Sequence, residues 1–248
     1  MVFMQYNTMK TLLNSIYALL LLSAISSCAG TVYTHEDVSS KNGITNDKEL
    51  NNPINGVHEK YYESGKLKKV VPYVDGKIDG VVKVFYESGS LKSTVSKKNG
   101  KSDGVFMQYY ESGSLESETP LSDDVFNGLS KDYYQSGALK AECPYVNGAH
   151  HGVVKFYYES GALKQYIPYE NDKMHGEYKA YYESGKLADE ASLKNDKIIG
   201  AEKYLYESGA LKQEIFYEDG MATSGYNYEE DGAKTKMTND ELSFTSYK

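Results

Sequence analysis

Serine is the potential nucleophile with the most regular spacing in this sequence. It lies inside a Tyr-Glu/Gln-Ser-Gly-x-Leu core that recurs every 24 residues, with its glycine at Gly65, Gly89, Gly113, Gly137, Gly161, Gly185 and Gly209. A catalytic serine needs a base such as histidine within hydrogen-bond reach, and no histidine recurs at a matching position. Serine beside glycine is also typical of tight turns. We therefore predict turn serines, no catalytic residues and no enzymatic activity.

Histidines and turn aspartates are the candidate metal ligands. His151 and His175 occupy the same slot of successive units, which hairpin spacing places about 10 Å apart. Both cannot easily reach one zinc ion at about 2.1 Å. With His150 they are predicted to be exposed turn residues. Asp172, Asp196 and Asp219 suit weak calcium binding, but turns favour aspartate in any case. We predict no metal site and no cofactor.

Composition argues against nucleic-acid binding. The 248 residues include 25 tyrosines, no tryptophan and no arginine, and 35 acidic residues against 27 lysines give a net charge of −8. A negative protein repels phosphate backbones, and the planar guanidinium fork that reads phosphate is missing. We expect no nucleic-acid partner.

The unit that positions these residues has the pattern of a β-hairpin. In the fifth copy, a β-prone run at 153–158 leads into Glu159-Ser160-Gly161, and a second run at 163–169 precedes a turn at Asn171-Asp172. Other copies of the second turn are Asp-Gly or Asn-Gly, a strong hairpin signal. Prolines at one repeat position exclude long helices and favour a kink or an edge, at Pro72, Pro120, Pro144 and Pro168. We predict an all-β, elongated antiparallel meander.

Two aromatic rows accompany the turns. Seven tyrosines stand five residues before the seven leucines, and these pairs are predicted to form a core stripe: Tyr62, Tyr86, Tyr110, Tyr134, Tyr158, Tyr182 and Tyr206, with Leu67, Leu91, Leu115, Leu139, Leu163, Leu187 and Leu211. The register stays open. A two-residue Ser-Gly loop sets Tyr158 across from Leu163, whereas a three-residue Glu-Ser-Gly loop with left-handed Gly161 sets Tyr157 there.

The second aromatic row precedes the first by one residue. Its members are Tyr61, Phe85, Tyr109, Tyr133, Tyr157 and Tyr181. Neighbouring residues of a strand point to opposite faces, so this row is a candidate binding surface for an extended protein or glycan partner. The alternative is that both rows simply cover a thin, single-layer sheet.

The segment from Gly152 to Lys164 resembles the bacterial variant of the MORN repeat, whose pattern is Gly-x-x-x-x-Tyr-Tyr-x-Asn-Gly-x-Leu-Lys. The resemblance covers residues 56–223, with serine in place of the asparagine in all seven copies. It implies about seven 24-residue β-hairpin units and no catalytic residues. Some similar proteins are YwqK-like antitoxins, so the resemblance also implies a possible cognate toxin as partner.

The N-terminus is typical of an exported lipoprotein. Lys10 precedes an apolar run from Ile16 to Ile25 that is too short to span a bilayer permanently. The following Ile25-Ser26-Ser27-Cys28 resembles the bacterial lipobox, which implies lipidation of Cys28. We predict a signal peptide at 1–27 and a flexible polar tether at 28–55.

The C-terminus departs from the repeat. The next core reads Tyr228-Glu-Glu-Asp-Gly232, with Lys234 in place of leucine. We predict repeats at 56–223, then a degenerate capping unit with a polar tail at 224–248, disordered from 233. The whole sequence predicts an envelope lipoprotein, held on a membrane by its lipid and at the outer membrane if the cell is diderm. Its repeats would form a non-enzymatic protein- or glycan-binding scaffold, the alternative being an immunity protein that neutralises a toxin by direct contact.

Overall fold

The computed structural model describes residues 31–34, 37–41 and 44–245. The strands are β1 (Thr31–Tyr33), β2 (Val38–Lys41), β3 (Ile44–Asp47), β4 (Gly56–Tyr61), β5 (Leu67–Val74), β6 (Lys77–Ile78), β7 (Gly80–Phe85), β8 (Leu91–Lys98), β9 (Lys101–Tyr109), β10 (Leu115–Ser122), β11 (Val125–Phe126), β12 (Gly128–Tyr133), β13 (Leu139–Val146), β14 (Ala149–His150), β15 (Gly152–Tyr157), β16 (Leu163–Glu170), β17 (Lys173–Met174), β18 (Gly176–Tyr181), β19 (Leu187–Lys194), β20 (Lys197–Leu205), β21 (Leu211–Glu218), β22 (Met221–Tyr228) and β23 (Lys234–Lys236). One helix, α1 (Asn239–Thr245), follows them.

Twenty-one of these strands form one sheet, and β2 and β3 form a separate hairpin. From β4 to β23 the sheet is an antiparallel meander in chain order, while β1 pairs with β4 in parallel. The predicted all-β hairpin array is confirmed.

The first turn of each unit is the three-residue loop. In the fifth unit the N–H of Tyr158 donates to the carbonyl of Ala162 at 2.9 Å, and the N–H of Gly161 donates to the carbonyl of Tyr158 at 2.9 Å. Gly161 has φ +88°, a left-handed value that suits glycine. Tyr157 consequently pairs with Leu163, after a one-residue shift of register. This decides between the two registers that the sequence left open.

The second turn has the mirror-image geometry expected of tight hairpins. Asp75 and Gly76 have φ +48° and +73°, and Asn171 and Asp172 have φ +50° and +65°. Positive φ at both central residues defines a type I′ turn, which matches strand twist. Asp-Gly and Asn-Gly were therefore correct hairpin signals, and Asn-Asp serves the same turn.

Proline decides where a strand breaks. Beside each of the four repeat prolines the following strand is split in two, as β11 and β12 are beside Pro120. Proline has no N–H to donate to the ladder. In the units that carry Ser96, Ser192 or Phe216 at this position, the following strand is continuous (β9, β20 and β22). The predicted kink is thus present where proline is present.

The two faces of the sheet differ. One, which we call the packed face, holds buried side chains at the strand centres, among them Val71, Val82, Ala141, Val154 and Ile215. The opposite one, which we call the charged face, carries Lys131, Glu142 and Lys155 on neighbouring strands. In the described part of the chain, the charged-face strand positions are half-buried or exposed. The core therefore lies on one face.

The predicted core stripe of turn tyrosines and leucines is wrong. Both rows are half-buried, because they flank the first turn at the rim of the sheet rather than its centre. The tyrosine hydroxyls instead join successive units. Each donates to a backbone carbonyl of the next unit at 2.7–2.9 Å: Tyr62 to Phe85, Tyr86 to Tyr109, Tyr110 to Tyr133, Tyr134 to Tyr157, Tyr158 to Tyr181, Tyr182 to Leu205 and Tyr206 to Tyr228.

The segment predicted as a flexible tether contains strands instead. Thr31 to Tyr33 pairs with Gly56 to His58. Ile54 is 1 % exposed, and its carbonyl accepts from the N–H of Gly76 at 2.9 Å. A polar segment needs no core of its own when it extends an existing sheet, because the sheet edge supplies its backbone partners. Residues 1–30, including Cys28, lie outside the described residues.

The C-terminal tail is also ordered as far as Thr245. The turn at Glu229–Gly232 repeats the first-turn hydrogen bonds of the other units. Met237 and Leu242 then bury their side chains against Ile215 and Tyr217 on the packed face. The prediction of disorder from residue 233 was wrong, because two apolar residues in this polar stretch are enough to pack the tail against the sheet. Within the described ranges no helix is long and apolar enough to cross a membrane.

We predict that Tyr134→Phe weakens the junction between two units. The change keeps the ring but removes the donor to the carbonyl of Tyr157 at 2.8 Å, so it should cost about 1 kcal/mol. Chemical denaturation of the full chain measures this. The control is Tyr109→Phe, because that hydroxyl contacts the weak acceptor Sδ of Met107 at 3.3 Å. Equal midpoints for the two variants would show that the hydroxyl does not hold the junction.

Candidate binding face

Three parallel rows cross the strands of the charged face, as the unit beginning at Gly128 shows. Tyr133 pairs with Leu139, Lys131 pairs with Glu142, and Leu129 pairs with Pro144. Paired residues of neighbouring strands lie side by side on one face. We name these rows the aromatic row, the Lys–Glu row and the Val–Pro row. The aromatic row continues through the first six units, whereas residues of other types interrupt the other two, such as Thr94 in the Lys–Glu row and Glu177 in the Val–Pro row.

The aromatic row holds the six residues that the sequence proposed as a binding surface. Tyr61 is 49 % exposed, while Phe85, Tyr109, Tyr133, Tyr157 and Tyr181 are half-buried. Each pairs with the leucine that follows the turn, as Phe85 does with Leu91. In the seventh unit Leu205 takes the same position. The structure therefore brings all six residues together on one face, in one row.

The Lys–Glu row lies directly beside the aromatic row. It contains three Lys–Glu pairs, with Nζ–carboxylate distances of 3.5 Å for Lys131–Glu118, 3.6 Å for Lys155–Glu142 and 3.8 Å for Lys203–Glu190. Uncharged residues interrupt the alternation of lysine and glutamate elsewhere: Val70, Thr94, Met107 and Tyr166. Such partly exposed pairs contribute little stability each. Their main effect is that the row offers neither a positive nor a negative stripe.

Two tyrosine hydroxyls of the aromatic row donate hydrogen bonds to glutamates of the Lys–Glu row. Tyr133 donates to Glu118 at 2.8 Å, and Tyr157 donates to Glu142 at 2.9 Å. Burial first, and then the hydrogen bond to a carboxylate, raises the pKa of both phenols to about 12. These tyrosines present their rings, rather than free hydroxyls, to a partner.

The Val–Pro row was missed by sequence analysis. Val81, Val105 and Leu129 are 45 %, 36 % and 42 % exposed. Proline of this row crowds the glycine on the neighbouring strand: a Cβ on Gly128 would lie 3.1 Å from Pro120, and its φ of +123° also favours glycine. The signal was present in the sequence, since the first five unit glycines are each followed by valine or leucine. The residue types predict a strand at this position but do not indicate which face the apolar side chain occupies.

The histidines and aspartates that were candidate metal ligands lie at the edge of the sheet formed by the second turns. The ring of His150 lies between those of Tyr145 and Tyr169, at centroid distances of 4.4 and 5.2 Å. The carboxylate of Asp172 accepts the N–H of His150 at 2.6 Å. His151 and His175 are exposed. Among the residues that the structure describes, no three potential ligands are grouped for a metal ion.

A neighbouring turn aspartate is used in the same way. Asp124 accepts the N–H of Ser102 at 2.7 Å and lies 3.2 Å from Nζ of Lys97. The backbone hydrogen bond, more than the lysine, lowers the pKa of Asp124 to about 2. These carboxylates therefore hold one unit against the next.

Three of the turn serines contact serine or glutamate side chains. Ser88 lies 3.0 Å from Ser90, Ser112 lies 3.1 Å from Ser114, and Ser208 donates to Glu230 at 3.0 Å. These contacts tie the turns together at the rim of the sheet. The geometry suits a turn residue.

Comparison with protein families identifies a repeat family. The MORN repeat variant matches seven segments, which together cover more than half of the chain: residues 54–75, 78–99, 102–123, 126–147, 151–171, 174–195 and 199–219. A search of curated proteins gave no match.

We predict that Glu142→Gln lowers the pKa of Tyr157 from about 12 towards the ordinary value of about 10. The folded pKa lies above the unfolded one, so this interaction stabilises the fold fully below about pH 10 and is lost as pH rises through 12. Ultraviolet titration against Tyr157→Phe isolates this phenol. Glu159→Gln, at an exposed turn position, is the matched control. An identical Tyr157 pKa in both glutamate variants would contradict the assignment.

Proposed function

Because the chain belongs to the MORN repeat variant family, we propose that it is a binding scaffold. In this proposal the protein is non-enzymatic and binds a protein or glycan partner through its charged face. The observation that carries the proposal is the recurrence of three rows on a face that is left open to solvent. A sheet face with half-exposed aromatic and aliphatic side chains is an interaction surface. The aromatic row is the part we assign to the partner.

Repetition favours an elongated partner. Equivalent side chains of successive units are two strands apart, or about 10 Å. Each unit then offers a weak site, and a partner that engages several at once gains affinity by effective concentration. A scaffold of this kind needs no single dominant residue.

We also propose that the protein is exported and held on the bacterial envelope by lipid on Cys28, at the outer membrane in a diderm cell. The support is the sequence from Lys10 to Cys28, with Ala29 following the cysteine. Thr31, the first residue of the sheet, comes three residues after Cys28. Three residues span at most about 11 Å, so the lipid would hold the array close to the membrane surface.

In-cell crosslinking of the tagged, lipidated protein, followed by mass spectrometry, tests the scaffold. We expect envelope proteins or glycan fragments, captured through several units. Deleting one whole unit, residues 129–152, should lower capture by less than about tenfold, and deleting 81–104 should have the same effect. Loss of one stoichiometric partner on removal of one particular unit would instead indicate an immunity protein directed at a toxin.

We predict that Cys28→Ser abolishes incorporation of a palmitate analogue and releases the protein from the membrane fraction. A thioether-linked lipid contributes about 0.8 kcal/mol per buried methylene, so its loss removes the anchor. The matched control is Cys143→Ser, which changes a half-buried cysteine in strand β13. Equal labelling of the Cys28→Ser variant and the unchanged protein would rule out this anchor.

A further inference from the structure

We propose that the aromatic row is a docking track for an uncharged, proline-rich segment of a partner protein in the polyproline II conformation, lying along the array axis. The proposal rests on the scaffold function above and names its partner. Four properties of the charged face lead to it.

The feature that repeats is a ring and not a hydroxyl. Phe85 occupies one position of the row without any hydroxyl, and Tyr133 and Tyr157 donate theirs to Glu118 and Glu142. A partner therefore meets aromatic surface. Aromatic-lined grooves are the surfaces on which proline-rich segments dock, because proline packs its ring on them without requiring backbone hydrogen bonds.

The surroundings of the row are electrically balanced. On one side, three lysines of the Lys–Glu row, Lys131, Lys155 and Lys203, lie 3.5–3.8 Å from glutamate carboxylates. On the other side, turn lysines lie over tyrosine rings at 5.1–5.9 Å: Lys68 over Tyr62, Lys92 over Tyr86, Lys140 over Tyr134, Lys164 over Tyr158 and Lys212 over Tyr206. Exposed glutamates of the same turns carry the opposite charge: Glu63, Glu87, Glu111, Glu159, Glu183 and Glu207. Neither an acidic nor a basic segment gains from this pattern. The complementary partner is uncharged.

The spacing distinguishes among extended conformations. Successive rings are two strands apart, about 9.6 Å. One turn of polyproline II contains three residues and rises about 9.3 Å. A β-strand repeats its side-chain direction about every 6.8 Å, and two turns of an α-helix rise about 10.8 Å. Of these three conformations, only polyproline II turns the same side towards every ring, because its mismatch adds up to only about 1.5 Å over the five intervals between six rings.

The row has a defined length. Six aromatic residues precede Leu205, which interrupts the row in the seventh unit. The ring of Tyr228 holds the same position in the last unit, but Nζ of Lys234 lies over it at 5.2 Å, so the uncharged track comprises the first six rings. Helix α1 packs over the packed face, through Leu242 and Ile215, so it leaves this row uncovered. A segment of six polyproline II turns, or about 18 residues, spans the track.

The test uses the full, lipidated chain in detergent and a synthetic (Pro-Pro-Ala)6 peptide, with (Gly-Ser-Ala)6 as the flexible, equally uncharged control. We expect at least about tenfold tighter binding of the proline peptide, because its conformation is already ordered. Affinity should rise from (Pro-Pro-Ala)2 to (Pro-Pro-Ala)6. Equal binding of the two 18-residue peptides would overturn the proposal.

Paired variants assign the binding to the row. Tyr133→Leu with Tyr157→Leu should weaken binding of (Pro-Pro-Ala)6 at least about tenfold, since it removes two central rings. Leucine is the residue that the chain itself carries at position 205, so the fold should be retained, and the denaturation midpoint checks this. Tyr145→Leu with Tyr169→Leu, on the packed face, should bind as the unchanged protein does. Unaltered affinity in the folded leucine variant would overturn the proposal.

A β-1,4-linked N-acetylglucosamine hexamer separates this proposal from the scaffold function. If that glycan binds, loses affinity in the leucine variant and outcompetes the proline peptide, then the face is a scaffold for glycan and the proline-rich partner is wrong. If crosslinking in cells also captures no partner through any unit, the scaffold function itself fails.

Discussion

The hydrogen bond from a turn tyrosine to a carbonyl of the next unit is the contact on which the array depends. A single-layer sheet has no second layer against which a unit can bury its side chains, so each unit must be held by its neighbours. The backbone ladder joins the strand centres, and the tyrosine joins the first-turn rim, as Tyr134 does with Tyr157. At the opposite rim, turn carboxylates such as Asp172 do the same for the second turns. The junctions that carry such a carboxylate are thus fixed at their centre and at both ends.

This arrangement explains why the two faces have different tasks. The packed face holds the apolar side chains that neighbouring strands bury together, from Val71 near one end to Ile215 near the other. The charged face contributes little to burial and is therefore free to carry aromatic and aliphatic rows without a structural penalty. Helix α1 adds its apolar residues to the packed face alone.

Local chemistry predicted the turns and strands well, because glycine, Asn-Gly and proline act through their own backbone preferences. Pro120 splits its neighbouring strand for a reason visible in one residue. The faces were harder to predict, since a one-residue shift at the turn decides whether Tyr157 or Tyr158 lies across from Leu163. The ends failed for a related reason. Thr31 and Leu242 gain their partners from the sheet, and composition alone does not report a partner that is distant in sequence.

The phenol-to-carbonyl bonds and the strand ladders all run along the array axis. Tension between the two ends of the molecule is therefore carried by the junctions in series, and the weakest one opens while the others stay closed. One opened unit releases 24 residues, a contour of about 80 Å when extended. A protein attached at both ends would therefore lengthen in discrete steps, one unit at a time. This stepwise unfolding would absorb mechanical work before either attachment broke.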